Sequence, residues 1–168
     1  MRNKYYLLSL LIVALDHVSK WIVSVRLPNH PVELIPGYLR LSYVCNSGVA
    51  FGFFNGDTSV WRPYILGAMA VAALVAIFLY GRHMPPNRLL LQIALAITMG
   101  GILGNFIDRI FRGYVIDFIE FHIHESFYWP NFNIADSAIT IGIALLLIDT
   151  VRDSAVEESA APAADSRP

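Results

Sequence analysis

Four segments of this chain are apolar enough, and about long enough, to cross a bilayer, and four aspartates fall at or between their ends. A span needs roughly 20 mostly apolar residues. The candidates run over about 5–25, 63–80, 89–107 and 132–148. An ionisable residue inside a bilayer costs ~2.5–3.5 kcal/mol on insertion scales, which makes Asp16, Asp108, Asp117 and Asp136 functional-site candidates by default.

Composition agrees with a membrane protein. The chain is 56% hydrophobic and 15% charged, with a mean hydropathy of +0.54, too apolar for a soluble domain of 168 residues. The net charge of −1 gives no reason to expect a nucleic-acid partner. A single cysteine, Cys45, excludes an internal disulfide.

The clean apolar run of the first segment ends at Leu15, too short to cross. The span therefore carries Asp16, Ser19 and Lys20 near its far end. A signal peptide is the competing reading, because Arg2 and Lys4 precede an apolar stretch, but no small-x-small cleavage site follows. In the second segment Gly67, Ala68, Ala70, Ala72 and Ala73 suit close helix packing. Pro85-Pro86 breaks the chain before the third. Between the first two spans, residues 26–62 show alternation and Pro-Gly punctuation, which predicts short strands resting on the membrane surface. The fold class expected is an all-α membrane protein, four transmembrane helices in one domain over 1–151, with a small β element between helices 1 and 2. The Ala-, Pro- and Glu-rich tail, 152–168, reads as disordered.

Antiparallel spans alternate direction, so the end of span 1, the 1–2 connection, the end of span 3, the 3–4 connection and the start of span 4 share one face. That face receives Asp16, Asn46, Asn105, Asp108, Arg109, Asp117, Asn133 and Asp136. Within it, Asp16, Ser19 and Lys20 are spaced i, i+3, i+4, as are Asn105, Asp108 and Arg109, and Asn133, Asp136 and Ser137. Each set makes a stripe on one helix face. Lipid cannot satisfy such stripes, so they are expected to face one another. Lys and Arg split six (positions 2, 4, 82, 88, 152, 167) against six (20, 26, 40, 62, 109, 112). Setting aside Lys20 and Arg109 as partners of buried acids leaves six against four, which puts both termini in the cytoplasm and the polar cluster outward.

Bundled aspartates fit three classes: hydrolysis by a carboxylate dyad sharing one proton, a proton- or cation-coupled transporter, and packing by structural ion pairs such as Asp16–Lys20 and Asp108–Arg109. Other mechanisms have less support. No H-E-x-x-H occurs. Cys45 has no base partner in sequence. Ser19 and Ser137 read as helix serines bonded to their own backbone. His122, His124 and Glu125 alternate like metal ligands on a strand, but an interfacial loop is the reading preferred here.

Five boxes then match one family. Asp16-His17-Val18-Ser19-Lys20 resembles D-x-x-S-K of the bacterial lipoprotein signal peptidases, the type II signal peptidases. Asn46-Ser47-Gly48-Val49-Ala50-Phe51 resembles their N-x-G-x-A-F. Gly100-Gly101-Ile102-Leu103-Gly104-Asn105-Phe106-Ile107-Asp108-Arg109 is similar to G-G-x-x-G-N-x-x-D-R. Val115-Ile116-Asp117-Phe118 is similar to V-x-D-F, and Phe132-Asn133-Ile134-Ala135-Asp136-Ser137 to F-N-x-A-D-S. The boxes occur in family order over about 4–149, and none departs from its pattern.

The resemblance implies an aspartic endopeptidase of the bacterial inner membrane that cuts prolipoproteins just before a diacylglyceryl-modified cysteine. It implies Asp117 and Asp136 as the catalytic pair. Asn46, Gly48, Asn105, Asp108, Arg109 and Asn133 would be supporting or substrate-binding residues, with Asp16 and Lys20 at the edge of the site. It implies no metal and no organic cofactor. The partners implied are the prolipoprotein and membrane lipid.

Overall fold

The computed structural model describes residues 3–28, 30–48, 61–85 and 87–160. Helix α1 spans Asn3–Arg26, strands β1 and β2 span Val32–Ile35 and Leu39–Asn46, and helices α2 and α3 span Arg62–Arg82 and Leu89–Arg112. Strands β3 (Val115–Ile123) and β4 (Phe127–Tyr128) follow, and α4 runs over Ile134–Ala160. All four helices are long and apolar enough to cross a membrane. Residues 49–51 of the second sequence box lie outside the described residues.

Helix α3 is the central one, packed against α1, α2 and α4, and its inward face is almost continuously buried. Close approach depends on missing side chains. A Cβ on Gly101 would stand 2.4 Å from the Ala135 carbonyl oxygen of α4, and one on Gly104 would stand 2.8 Å from Asp16 Oδ2 of α1. Helix α2 is exposed along most of its length, with Ile65, Met69, Val75 and Leu79 turned outward, as suits a helix solvated by lipid. At the far end Arg88 ties the start of α3 to α4 through Asp149 at 2.6 Å and Asp153 at 2.8 Å.

Several element boundaries differ from those expected. Helix α3 continues five residues past Ile107, so Asp108 and Arg109 lie inside it. Gly113 ends it in the left-handed conformation (φ 78°), donating its N–H to the Arg109 carbonyl. Helix α4 starts at Ile134, so Phe132 and Asn133 precede it. It then runs to Ala160, past the predicted start of the tail. Extending an existing helix through Ala- and Glu-rich sequence carries no nucleation cost. The remainder of that tail, 161–168, lies outside the described residues.

The β element is larger than the one expected between helices 1 and 2. Strands from both connections form one antiparallel sheet in the order β1-β2-β3-β4. Val44 pairs with Asp117, and Asn46 with Val115. Asp117 is thus fixed in a strand rather than carried on a loop. Residues 115–118 are buried on both faces of the sheet, so they lack the alternation that marks a strand in sequence. His122 also sits in β3. It is buried and stacked on Tyr128 with ring centroids 5.5 Å apart, not placed in an interfacial loop.

Candidate active site

The polar stripes of α1, α3 and α4 meet at one level, and β2 and β3 close over them. Asp16, Lys20 and Asp108 are fully buried. Lys20 Nζ donates to Asp16 Oδ2 at 2.6 Å and pairs with Asp108 Oδ2 at 2.8 Å. It also donates to Asn105 Oδ1 at 3.1 Å. The second oxygen of Asp16 accepts the Ala135 backbone N–H at 2.9 Å, an unsatisfied donor of the first turn of α4. Two carboxylates and one ammonium buried together are tolerated because each has an ionic or hydrogen-bonded partner.

Asn105 carries this base upward. Its Oδ1 faces two donors, Lys20 Nζ and Asn133 Nδ2 (3.2 Å), which leaves its Nδ2 to donate to Asp136 Oδ1 at 2.8 Å. Asn133 then joins the two catalytic candidates. Its Nδ2 donates to Asp117 Oδ1 at 2.7 Å, and its Oδ1 accepts the Asp136 backbone N–H at 2.9 Å. Asp136 Oδ2 in turn accepts the Asn133 N–H at 3.2 Å. From β2, Asn46 Nδ2 donates to the other Asp117 oxygen at 2.8 Å, while Asn46 Oδ1 accepts the Gly48 N–H at 2.8 Å. Arg109 donates to the Gly48 carbonyl at 3.1 Å and to the Asn105 carbonyl at 3.2 Å, fastening the end of β2 to α3.

Asp117 is 2% exposed. Burial, and then the nearby charge of Asp136, push its carboxyl up to about 6, against the opposing effect of its Asn46 and Asn133 donors and of Lys20. A carboxyl in this range holds or releases a proton near neutral pH, as general acid–base chemistry requires.

All ten predicted site residues, Asp16, Lys20, Asn46, Gly48, Asn105, Asp108, Arg109, Asp117, Asn133 and Asp136, fall in this one connected region. Four are placed or wired differently from the expectation. Asp108 bonds Lys20 and Arg112, and Arg109 bonds backbone carbonyls instead. Asp16 and Lys20 form the buried floor of the cluster rather than its rim. Sequence reasoning missed Arg112, although Asp108 and Arg112 stand at i, i+4 spacing. It also missed the pairing of buried Glu120 with Arg40, whose residues are joined only by strand register. Among the described residues no three His, Cys, Asp or Glu side chains could hold a metal ion.

The family described as Signal peptidase (SPase) II matches residues 8–152. A lipoprotein signal peptidase of Symbiobacterium thermophilum is 41% identical over 146 residues, covering 86% of this chain and 91% of that protein. One of Acinetobacter baylyi is 42% identical over 145 residues, covering 85% and 79%. A bacterial membrane enzyme solved by the in meso method at 2.3 Å is 28% identical, with a TM-score of 0.80, covering 99% of this chain and 94% of that one. A second such structure, at 1.9 Å, is 29% identical with a TM-score of 0.78 and covers 90% and 94%. With a family match across most of its length and relatives near 40% identity, the chain belongs to the signal peptidase II family of lipoprotein signal peptidases.

Proposed function

We propose that this chain is an aspartic endopeptidase that removes the signal peptide from lipid-bearing prolipoproteins, with Asp117 and Asp136 as its acid/base pair. Its proposed setting is the bacterial inner membrane, with both termini cytoplasmic and the acid pair toward the outer face. The observation that carries the assignment is the single amide, Asn133, that contacts both acids within a buried network.

In this reading the pair holds one proton and a water. The ionised carboxylate takes a proton from that water, and the oxygen attacks the scissile carbonyl. The protonated partner donates to the carbonyl oxygen, giving a neutral tetrahedral diol. As the diol collapses, the carboxylate left by that donation takes the proton of one diol hydroxyl, the C–N bond breaks, and the proton taken from water passes to the leaving amine, so the pair again holds one proton. Atoms and charge balance: one water is consumed, and an acid and an amine are released. Asn46 and Asn105 hold one carboxylate each, and Lys20 and Asp16 hold Asn105 and the start of α4. Arg109 holds the chain at Gly48. A transporter, the other class of chemistry that membrane aspartates suggest, finds no support among the relatives, which are named as peptidases.

The test is purified protein in lipid with a prolipoprotein carrying a diacylglyceryl cysteine. Cleavage just before that cysteine, persisting in a chelator, is expected; an intact substrate contradicts the reading. Orientation is tested separately with single cysteines at positions 85 and 126 in a Cys45→Ser background. They should react with an impermeant thiol reagent from opposite sides of the membrane.

A further inference from the structure

A cavity of about 530 Å³ opens along α4 beside Asp136. One wall is α4 itself, from Asp136 through Thr140, Ile141 and Ile143. The other is the segment before α4, including Trp129 and Phe132. That segment is pinned to β3 by backbone bonds: the Trp129 N–H donates to the Phe121 carbonyl, and the Phe132 N–H to that of Ile119. The groove is therefore preformed. Ile141 (53% exposed) and Ile143 (46%) leave it open to the surrounding lipid.

Its polarity is concentrated at one end. The Thr140 and Ser137 hydroxyls are turned onto the Asp136 and Asn133 carbonyls, so their hydrogen bonds are made within the helix. An apolar trough thus leads to the Asp136 carboxylate.

We propose that this groove holds one alkyl chain of the lipidated cysteine and thereby places the scissile bond over the acids. The proposal rests on the peptidase reading and names what lies on that groove. The groove's place chooses the alkyl chain over the apolar segment of the signal peptide: it shares a wall with the cleavage site through Asp136, as a chain attached next to the scissile bond requires.

A chain moving from lipid into this groove exchanges one apolar surrounding for another, so the groove adds little affinity. It acts instead on placement, and hence on turnover. The experiment compares kcat/KM for one prolipoprotein whose cysteine carries diacylglycerol with chains of about 16 or about 8 carbons. The wild type should favour the long chain. Ile143→Trp, which fills the groove, should lower the long-to-short ratio about tenfold. Leu147→Trp, on the same helix outside the groove, should leave the ratio unchanged. If Ile143→Trp abolishes all cleavage, Ile141→Trp on the same wall carries the test. A wild-type ratio near one, or a ratio that groove filling does not move, overturns the proposal. An equal loss for both chain lengths would instead place the peptide there. Failure of the wild type to cut either substrate would overturn the peptidase reading itself, a different result.

Discussion

Asn133 and Asp136 cap the start of α4 reciprocally. The Asp136 N–H donates to Asn133 Oδ1 at 2.9 Å, and the Asn133 N–H donates to Asp136 Oδ2 at 3.2 Å. This is the capping-box arrangement, with Asn and Asp in place of the commoner Ser/Thr and Glu. The carboxylate assigned to catalysis is thus also part of the device that starts its helix, and the same Asn reaches Asp117.

The two jobs of Asn133 separate by substitution. Asn133→Ser keeps a capping acceptor but loses the amide that donates to Asp117, whereas Asn133→Ala loses both. Loss of the cap should make Asn133→Ala less stable than Asn133→Ser by about 1 kcal/mol. Both variants should lose at least tenfold in cleavage rate, because both remove the amide that links Asp117 to the start of α4. Thermal midpoints in detergent, measured beside cleavage rates, check this. Full activity in Asn133→Ser would contradict the bridging role.

Lys20 compensates two fully buried carboxylates. Lys20→Met should therefore cost about 3–5 kcal/mol, since it leaves buried charge without its partner. Adding Asp16→Asn to that variant should recover part of the loss. Denaturant midpoints for the two variants decide the matter. A double variant no more stable than Lys20→Met would place the penalty elsewhere.

The contact between α3 and α4 at Gly101 leaves no room for a methyl group. A Cβ there meets the Ala135 carbonyl oxygen at 2.4 Å and Ile139 Cγ1 at 2.8 Å, and Ala135 is next to Asp136. Gly101→Ala should destabilise by about 1–3 kcal/mol and reduce cleavage through displacement of α4. Gly67→Ala, where the new atom finds only the Phe106 ring at 3.8 Å, should fold as the parent does. Equal thermal midpoints for the two variants would contradict the packing account.

The carboxyl of Asp117 rises to about 6 from an ordinary 3.8. Its folded-state value is the higher one, so the folded protein keeps a proton that the unfolded chain releases between those values. The resulting stability is fully present below about 3.8 and is lost as pH rises through about 6, roughly 3 kcal/mol in all. The wild-type thermal midpoint should fall between about pH 4 and 7. Asp117→Asn should show a shallower fall over the same range. Parallel curves for the two proteins would remove Asp117 as the source.

The sequence made the helices and their polar stripes legible, because 3.6-residue spacing puts Asp16 with Lys20, and Asn105 with Asp108, on one face whatever lies opposite. Partners across the bundle were less readable. Asp108 and Arg109 are neighbours in sequence, but successive helical residues point about 100° apart, and each found a different partner. The strand around Asp117 was hidden for another reason. Its pairing with Asn46 spans 71 residues, and burial on both faces removes the period of two. The groove beside Asp136 was not visible in sequence, since its walls come from one helix and from a segment held in place by β3.

The central claim is that Asp117 and Asp136 act as one acid/base unit. Its most direct test is the cleavage rate of Asp117→Asn, Asp136→Asn and the double variant on a lipidated prolipoprotein, each normalised to folded protein. Asn nearly preserves shape but cannot take or give the proton. Each single variant should lose essentially all turnover, and the double variant should be no worse than either single one, because the members of a unit are not additive. Substantial turnover by folded Asp117→Asn or Asp136→Asn would contradict the assignment.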